Sequence, residues 1–202
     1  MRARSTRTSR AGWGPYGREP DDIRITPGLS PVIGDSEQEA QDKFGQLQEL
    51  YDFRNGASLG GVDLSAYPLD GPLPDLPETE NGKGRQQQLI ELARRESLTI
   101  RELILRFSVV RGHNLVVGTP ANVADVIETW FTQEAADGFN IIPPLLPAGF
   151  HDFADKVVPE LQRRGLFRTE YEGRTLREHL GLKRPPNPNT RAIAAARTLE
   201  AV

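Results

Sequence analysis

Three histidines, His113, His151 and His179, are the side chains of this 202-residue chain whose ordinary pKa lies near neutrality. A general base or a metal ligand would be sought first among them. They lie far apart in sequence, and none has metal-ligand spacing such as HExxH. His113 precedes an apolar run, which predicts a place at the start of a strand, away from a catalytic end. His151 and His179 fall on expected helix surfaces. All three read as surface histidines, and no metal site is expected. The chain has no cysteine, so thiolate nucleophiles, disulfides, iron–sulfur clusters and cysteine-based zinc sites are excluded. No residue earns a catalytic role from its type and spacing.

Binding chemistry is better represented. Asn140 sits among apolar neighbours in FNII (139–142), and Pro143 follows directly. A lone amide there either contacts a ligand or satisfies a backbone group. Gly118-Thr119-Pro120 opens a helix after an apolar run. Its free N–H groups could meet an anion, although ordinary capping explains the same residues. There is no Walker A pattern and no GxGxxG, and Gly60-Gly61 is too short to cradle a phosphate. Segment 85–107 has the rhythm of a helix–turn–helix with a turn near Ser97–Thr99. A recognition helix there would offer base edges Arg101 and little else. A DNA-binding or regulatory module is therefore the rival reading of this chain.

These residues must be positioned by an alternating framework. IRITPGLSPVIG (23–34) reads as a buried strand. Ser36 and Glu39 make a capping box for a helix over about 36–53 with Ala40, Phe44, Leu47 and Tyr51 on one face. Residues 55–84 carry four prolines and six glycines and read as an inserted segment, ordered to 76 and exposed over 77–84. Two short helices follow, about 85–95 and from Thr99, the second with a capping box to Glu102. LVVG (115–118) is a buried strand. Thr119 caps the next helix, and Pro120 takes its first position, where a missing N–H costs nothing. Val123, Val126, Ile127, Trp130 and Phe131 form its apolar stripe, and FNII is the returning strand. A last helix over about 150–164 carries Phe150, Phe153, Val157, Val158 and Leu161, with Pro159 kinking or restarting it. Strand–helix–strand–helix order predicts a parallel α/β sheet. Three strands fall short of the eight of a whole barrel, so the expected fold is the C-terminal part of a (β/α)8 TIM barrel, about three βα units.

Composition fits this reading. Hydrophobic residues make up 37% of the chain, and 25 basic against 28 acidic residues leave a net charge of −3, against a wholesale polyanion binder. No run reaches the length of a membrane span. Five arginines and no acid occupy the first eighteen residues. The expected organisation is a disordered leader over 1–15, the barrel portion over 16–185 with its insertion at 55–113, and a tail over 186–202 ending in AIAAARTLEAV. A cytoplasmic location is expected.

GGVDLSAYPLDGPLPDLPET, SLTIREL, VVGTPANVADVIETWF, AADGFNIIPPLLP and VVPELQRRGLFRTEYEGRTLREHLGL occur in this order. Together they resemble the carboxyl-terminal portion of the nitrilotriacetate monooxygenase component A family, which are bacterial-luciferase-like, flavin-dependent monooxygenases on a TIM barrel. The resemblance runs from about Tyr16 to about Pro185. It implies a two-component reaction. Reduced FMN comes from a separate NAD(P)H-dependent flavin reductase, O2 is the oxidant, and one oxygen atom enters a small organic substrate. It also implies a homo-oligomer in the complete enzyme and no nucleic-acid or membrane partner. The family's main flavin-contacting stretch has no counterpart here, so no residue inherits a cofactor-binding role. The resemblance places Ala57, Ser58, Leu59, Gly60 and Gly61 near substrate, with Asn140 and Pro143 at the barrel mouth. A chain of this extent is expected to be inactive alone.

Overall fold

The structure, a computed structural model, describes residues 19, 22–53, 58–59, 62–76, 83–108, 113–185, 187 and 189. The leader over 1–15 and the terminal AIAAARTLEAV lie outside the described residues. The elements in chain order are β1 (Gly28–Ile33), α1 (Glu37–Glu49), β2 (Ser58–Leu59), β3 (Val62–Asp63), α2 (Lys83–Glu96), α3 (Ile100–Ser108), β4 (Asn114–Gly118), α4 (Pro120–Thr132), β5 (Asn140–Ile141), α5 (Ala148–Asp152), α6 (Val158–Arg163) and α7 (Leu176–His179). A π-helical turn, Phe153–Val157, joins α5 to α6.

Strands β1, β4 and β5 form one parallel sheet, as the alternation predicts. Their order is β4-β1-β5, so β1 lies in the middle. Strands of a barrel stand in chain order, which would put β4 there. Strand β4 pairs with β1 from Leu29–Asn114 to Ile33–Gly118, whereas β5 pairs only at Gly28–Asn140 and Leu29–Ile141. The reason for the short ladder is local. Asn140 N donates to Pro27 O and Ile142 N to Leu29 O, so odd-numbered residues of β1 face β5, while Gly34 N donates to Gly118 O on the other side. Pro31 is the next residue facing β5, and it has no N–H to give.

One face of the sheet carries the main core. Leu29 and Ile33 pack with Val123 and Ala124 of α4, Phe153 and Val157 of the π turn, and Leu161 of α6. Phe153, Val157 and Leu161 recur every four residues. In a pure α-helix each such step drifts about 40° around the axis. The wider π turn compensates, keeping all three on the core. Pro159, one residue into α6, lacks the N–H an unbroken helix would use, so the restart expected there takes this form. Phe131 and Phe150, expected inward, are instead about half exposed. Phe131 lies near the end of α4 and Phe150 within the short α5, outside the reach of this core.

The caps are as the sequence predicts. Glu39 N donates to Ser36 Oγ at 3.1 Å, and Asp35 N donates back to Glu39 Oε2. Thr119 caps α4 in a box completed by Asn122. Thr99 N and Oγ1 both donate to Glu102 Oε2 at 2.8 Å. The insertion has two small cores of its own, Leu64, Ile100 and Ile104 with Tyr51 and Phe53 beside them, and Leu89, Ala93 and Leu103. The β2–β3 hairpin and α7, capped by Thr175 and Glu178, were not foreseen.

Candidate functional site at the carboxyl end of the sheet

Parallel α/β sheets build sites where their strands end. Here β1 ends at Ile33 and β4 at Gly118, each followed by a capped helix. A cavity of about 320 Å³ opens beside the end of β1. Its wall is mainly apolar: Pro31, Val32 and Ile33 from the strand, Leu47 and Leu50 from α1 and its cap, and Pro144 and Leu145 after β5. Pro31 belongs on this wall because it leaves no unpaired donor there. The Ile33 carbonyl is not orphaned either, since Lys43 Nζ donates to it at 2.9 Å.

Lys43 also pairs with Glu39 at 3.0 Å and Asp152 at 3.5 Å. Lys156, from the π turn, pairs with Asp35 at 2.6 Å and Asp152 at 3.4 Å. Glu39 beside Lys43, and Asp35 beside Lys156, hold both ammonium groups charged above the usual lysine range. The same contacts hold the Asp35 and Glu39 carboxyls below their ordinary values. No proton donor or acceptor tuned to neutrality results. The network ties the loop after β1 to the helix after β5, so its action is positional.

A flavin phosphate does not fit the concavity at the start of α4, whose charged groups are already paired. The concavity at the start of α4 includes Thr119, Lys156, Glu160 and Arg163. Its lysine is committed to Asp35 and Asp152, and Arg163 binds both Glu160 oxygens at 2.7 Å. Thr119 and Asn122 satisfy each other across the helix start.

The residues expected near substrate are dispersed. Ala57, Gly60 and Gly61 lie outside the described residues, and Ser58 and Leu59 form the first strand of the hairpin. Asn140 Nδ2 donates to Thr26 O at 3.0 Å, tying β5 to the segment before β1. Pro143 is buried, and a Cβ placed on Gly149 would stand 2.9 Å from its ring. His113 packs against Gly28 at the start of β1, away from the cavity. His151 is exposed, and His179 Nε2 lies 2.9 Å from Gly173 O with its ring on Tyr171. Among the described residues no three potential ligands gather to hold a metal, and no helix is long and apolar enough to cross a membrane. Lys43, Asp152 and Lys156 were missed by the sequence reading. Their Glu39–Lys43 and Asp152–Lys156 spacings are legible as helix pairs, but their meeting depends on the tertiary fold.

The rival helix pair is occupied internally. Arg101 bonds Asp70 at 2.7 Å and stacks on Phe53, and Arg94 pairs with Asp75. The buried face of α3, Ile100, Leu103 and Ile104, serves the insertion's own cores.

No family model matches the chain. It is 51% identical over 179 residues to N-acetyl-S-(2-succino)cysteine monooxygenase of Bacillus subtilis (strain 168), covering 85% of this chain and 41% of that protein. It is 49% identical over 178 residues to nitrilotriacetate monooxygenase component A of Aminobacter aminovorans, covering 85% and 39%. A solved riboflavin lyase, with modified FMN and riboflavin, superimposes with a TM-score of 0.68 at 30% identity, covering 90% of this chain and 40% of that one. The chain thus spans about two fifths of the length of the curated relatives it matches.

Proposed function

We propose that this chain, a homologue of the carboxyl-terminal portion of the luciferase-like monooxygenases related to nitrilotriacetate monooxygenase component A, forms one wall of a two-component, FMN-dependent monooxygenase. The observation that carries the proposal is the 51% identity over 85% of the chain. FMN, reduced by a separate NAD(P)H-dependent flavin reductase, supplies the oxygen chemistry when bound, and a small organic substrate receives one oxygen atom from O2. The work assigned to the described residues is steric and electrostatic. The apolar wall of Pro31, Val32, Leu47 and Pro144 excludes water. Pro143 shapes the loop beside it, and the Lys43–Asp152–Lys156 network fixes the two helices that frame it. Ser58 and Leu59 are assigned to the substrate side of the insertion, and Asn140, bonded to Thr26 O at the amino end of the sheet, to holding β5 against β1. The complete enzyme is assigned to the cytoplasm as a homo-oligomer.

Flavin contacts are placed outside the described residues, so the isolated chain is expected to bind FMN weaker than micromolar and to show no reductase-dependent oxygenation. Fluorescence titration with FMN, followed by an oxygen-consumption assay with an added flavin reductase, tests this. Micromolar binding with coupled product formation would overturn the assignment of the flavin contacts.

A further inference from the structure

The turn between α2 and α3 has no part in the proposed oxygenation, yet its residues are not those a plain turn would choose. Ser97 directly follows α2 and has a φ of 52°, in the left-handed region. Leu98 N donates to Ala93 O at 3.0 Å, closing the helix in the way a left-handed glycine usually serves. A serine in that place carries the strain of its Cβ. Its side chain is exposed, and its hydroxyl has no hydrogen-bond partner among the described residues. Hydroxyls at other helix ends are spent, since Ser36, Thr99, Thr119 and Thr175 each cap a helix.

Ser97 is also framed by cations. Arg94 and Arg95 precede it by three and two residues and are 64% and 70% exposed, and Leu98 follows it. Arg94 pairs with Asp75, while Arg95 and Arg106 of α3 both pair with Glu96. We propose that Ser97 is a phosphoacceptor for an arginine-directed serine/threonine protein kinase. An acidic kinase cleft pairs guanidinium groups at these spacings, and an apolar pocket takes the residue after the acceptor. Leu98 packs against the core of Leu89, Ala93 and Leu103, so the turn must open to present it. The ion pairs that hold this edge are exposed and weak, which makes such opening easy. Ser97 Oγ attacks the γ-phosphorus of ATP. The new Oγ–P bond forms as the bond to the β,γ-bridging oxygen breaks. ADP leaves with that electron pair, and the hydroxyl proton passes to a carboxylate of the kinase.

The phosphate brings about two negative charges to the carboxyl end of α2, where the helix dipole is already negative, and sets them beside Glu96. It competes with Glu96 for Arg95 and Arg106, the groups that tie the end of α2 to α3. The modified turn loses the Leu98–Ala93 bond, and Leu98 leaves its core. Phosphorylation therefore loosens α2 from α3, while the sheet, whose core is built from other residues, keeps its packing. None of this depends on the monooxygenase reading.

The test treats the full chain with ATP, Mg2+ and the catalytic subunit of cyclic-AMP-dependent protein kinase, and locates phosphate by mass spectrometry. One phosphoryl group should appear at Ser97. Ser97→Gly, which suits the left-handed backbone and keeps the fold, should lose it. Arg94→Gln/Arg95→Gln should accept it about tenfold more slowly. Hydrogen exchange of the phosphorylated chain should quicken in α2 and α3, with β1 and β4 still protected. Phosphate confined to other hydroxyls, or an undiminished rate in the double variant, overturns the assignment of the site. Unchanged exchange in α2 and α3 overturns the loosening.

Discussion

The sheet and the insertion are built by different means. The sheet is secured by side chains from three elements, α4, the π turn and α6, converging on Leu29 and Ile33, and by Arg164, which reaches Asp125, Glu128 and Glu160 at 2.7–2.8 Å and clamps α4 to α6. Arg164 is 15% exposed, so this clamp is partly shielded from solvent. The insertion packs two small cores and surrounds them with ion pairs such as Arg94–Asp75 and Arg101–Asp70, whose carboxylates lie almost wholly in water. Shared apolar burial is what makes a region cooperative, whereas exposed pairs contribute about 0–1 kcal/mol each. The sheet should therefore unfold as a unit, and the insertion should open separately at lower cost.

Truncation of the two cores gives the largest contrast. Leu29→Ala should cost about 2–5 kcal/mol and lower the urea midpoint of the whole sheet. Leu103→Ala, equally buried, should speed hydrogen exchange in α2 and α3 while leaving the amides of β1 and β4 protected. A common loss of protection would abolish the distinction. The next contrast uses glycines. A Cβ on Gly34 would stand 2.4 Å from the backbone nitrogen of Ala40, which cannot step aside, whereas a Cβ on Gly84 in α2 meets nothing within 4 Å. Gly34→Ala should destabilise by about 1–3 kcal/mol, and Gly84→Ala should stabilise by about 0.5–1 kcal/mol, both measured by thermal melting.

The Arg164 clamp should also give the sheet its own acid sensitivity. Arg163 and then Arg164 hold the Glu160 carboxyl down at about 2, from an ordinary 4.5. A carboxyl depressed by folding stabilises at pH above its unfolded value, and that stabilisation is lost as pH falls from 4.5 toward 2. Glu160→Gln should flatten the pH dependence of the melting temperature in that window. An unchanged slope would mean that the clamp contributes nothing to acid resistance. The smallest effect is expected at Arg101→Ala, where loss of an exposed pair and a ring contact should leave the melting temperature nearly unchanged.

The same division governs what could be read in advance. Helix starts at Ser36, Thr99 and Thr119 were legible because a cap is a local contract among three or four neighbouring residues. The parallel sheet was legible from the alternation of elements. Strand order was not, because β5 reaches β1 through contacts separated by more than a hundred residues, such as Ser30 to Ile142 and Asn140 to Thr26. The Arg164 clamp and the meeting of Lys43 with Asp152 escaped for the same reason. Phe131 and Phe150 were misplaced because periodicity assigns a face without saying where the partner surface stops. At the candidate site, the apolar wall could be anticipated as strand and helix residues, but the cavity is a product of how far β5 extends.

Pro31 has a consequence for the life of the chain before folding is complete. GLSPVI is short, uncharged and rich in residues that favour extended backbone, the profile of a segment that stacks into fibrils. A missing N–H at its centre interrupts every ladder that such a stack would build. The residue that cuts β5 short thus also guards the nascent polypeptide against self-templating, acting as a gatekeeper within the strand on which the sheet depends.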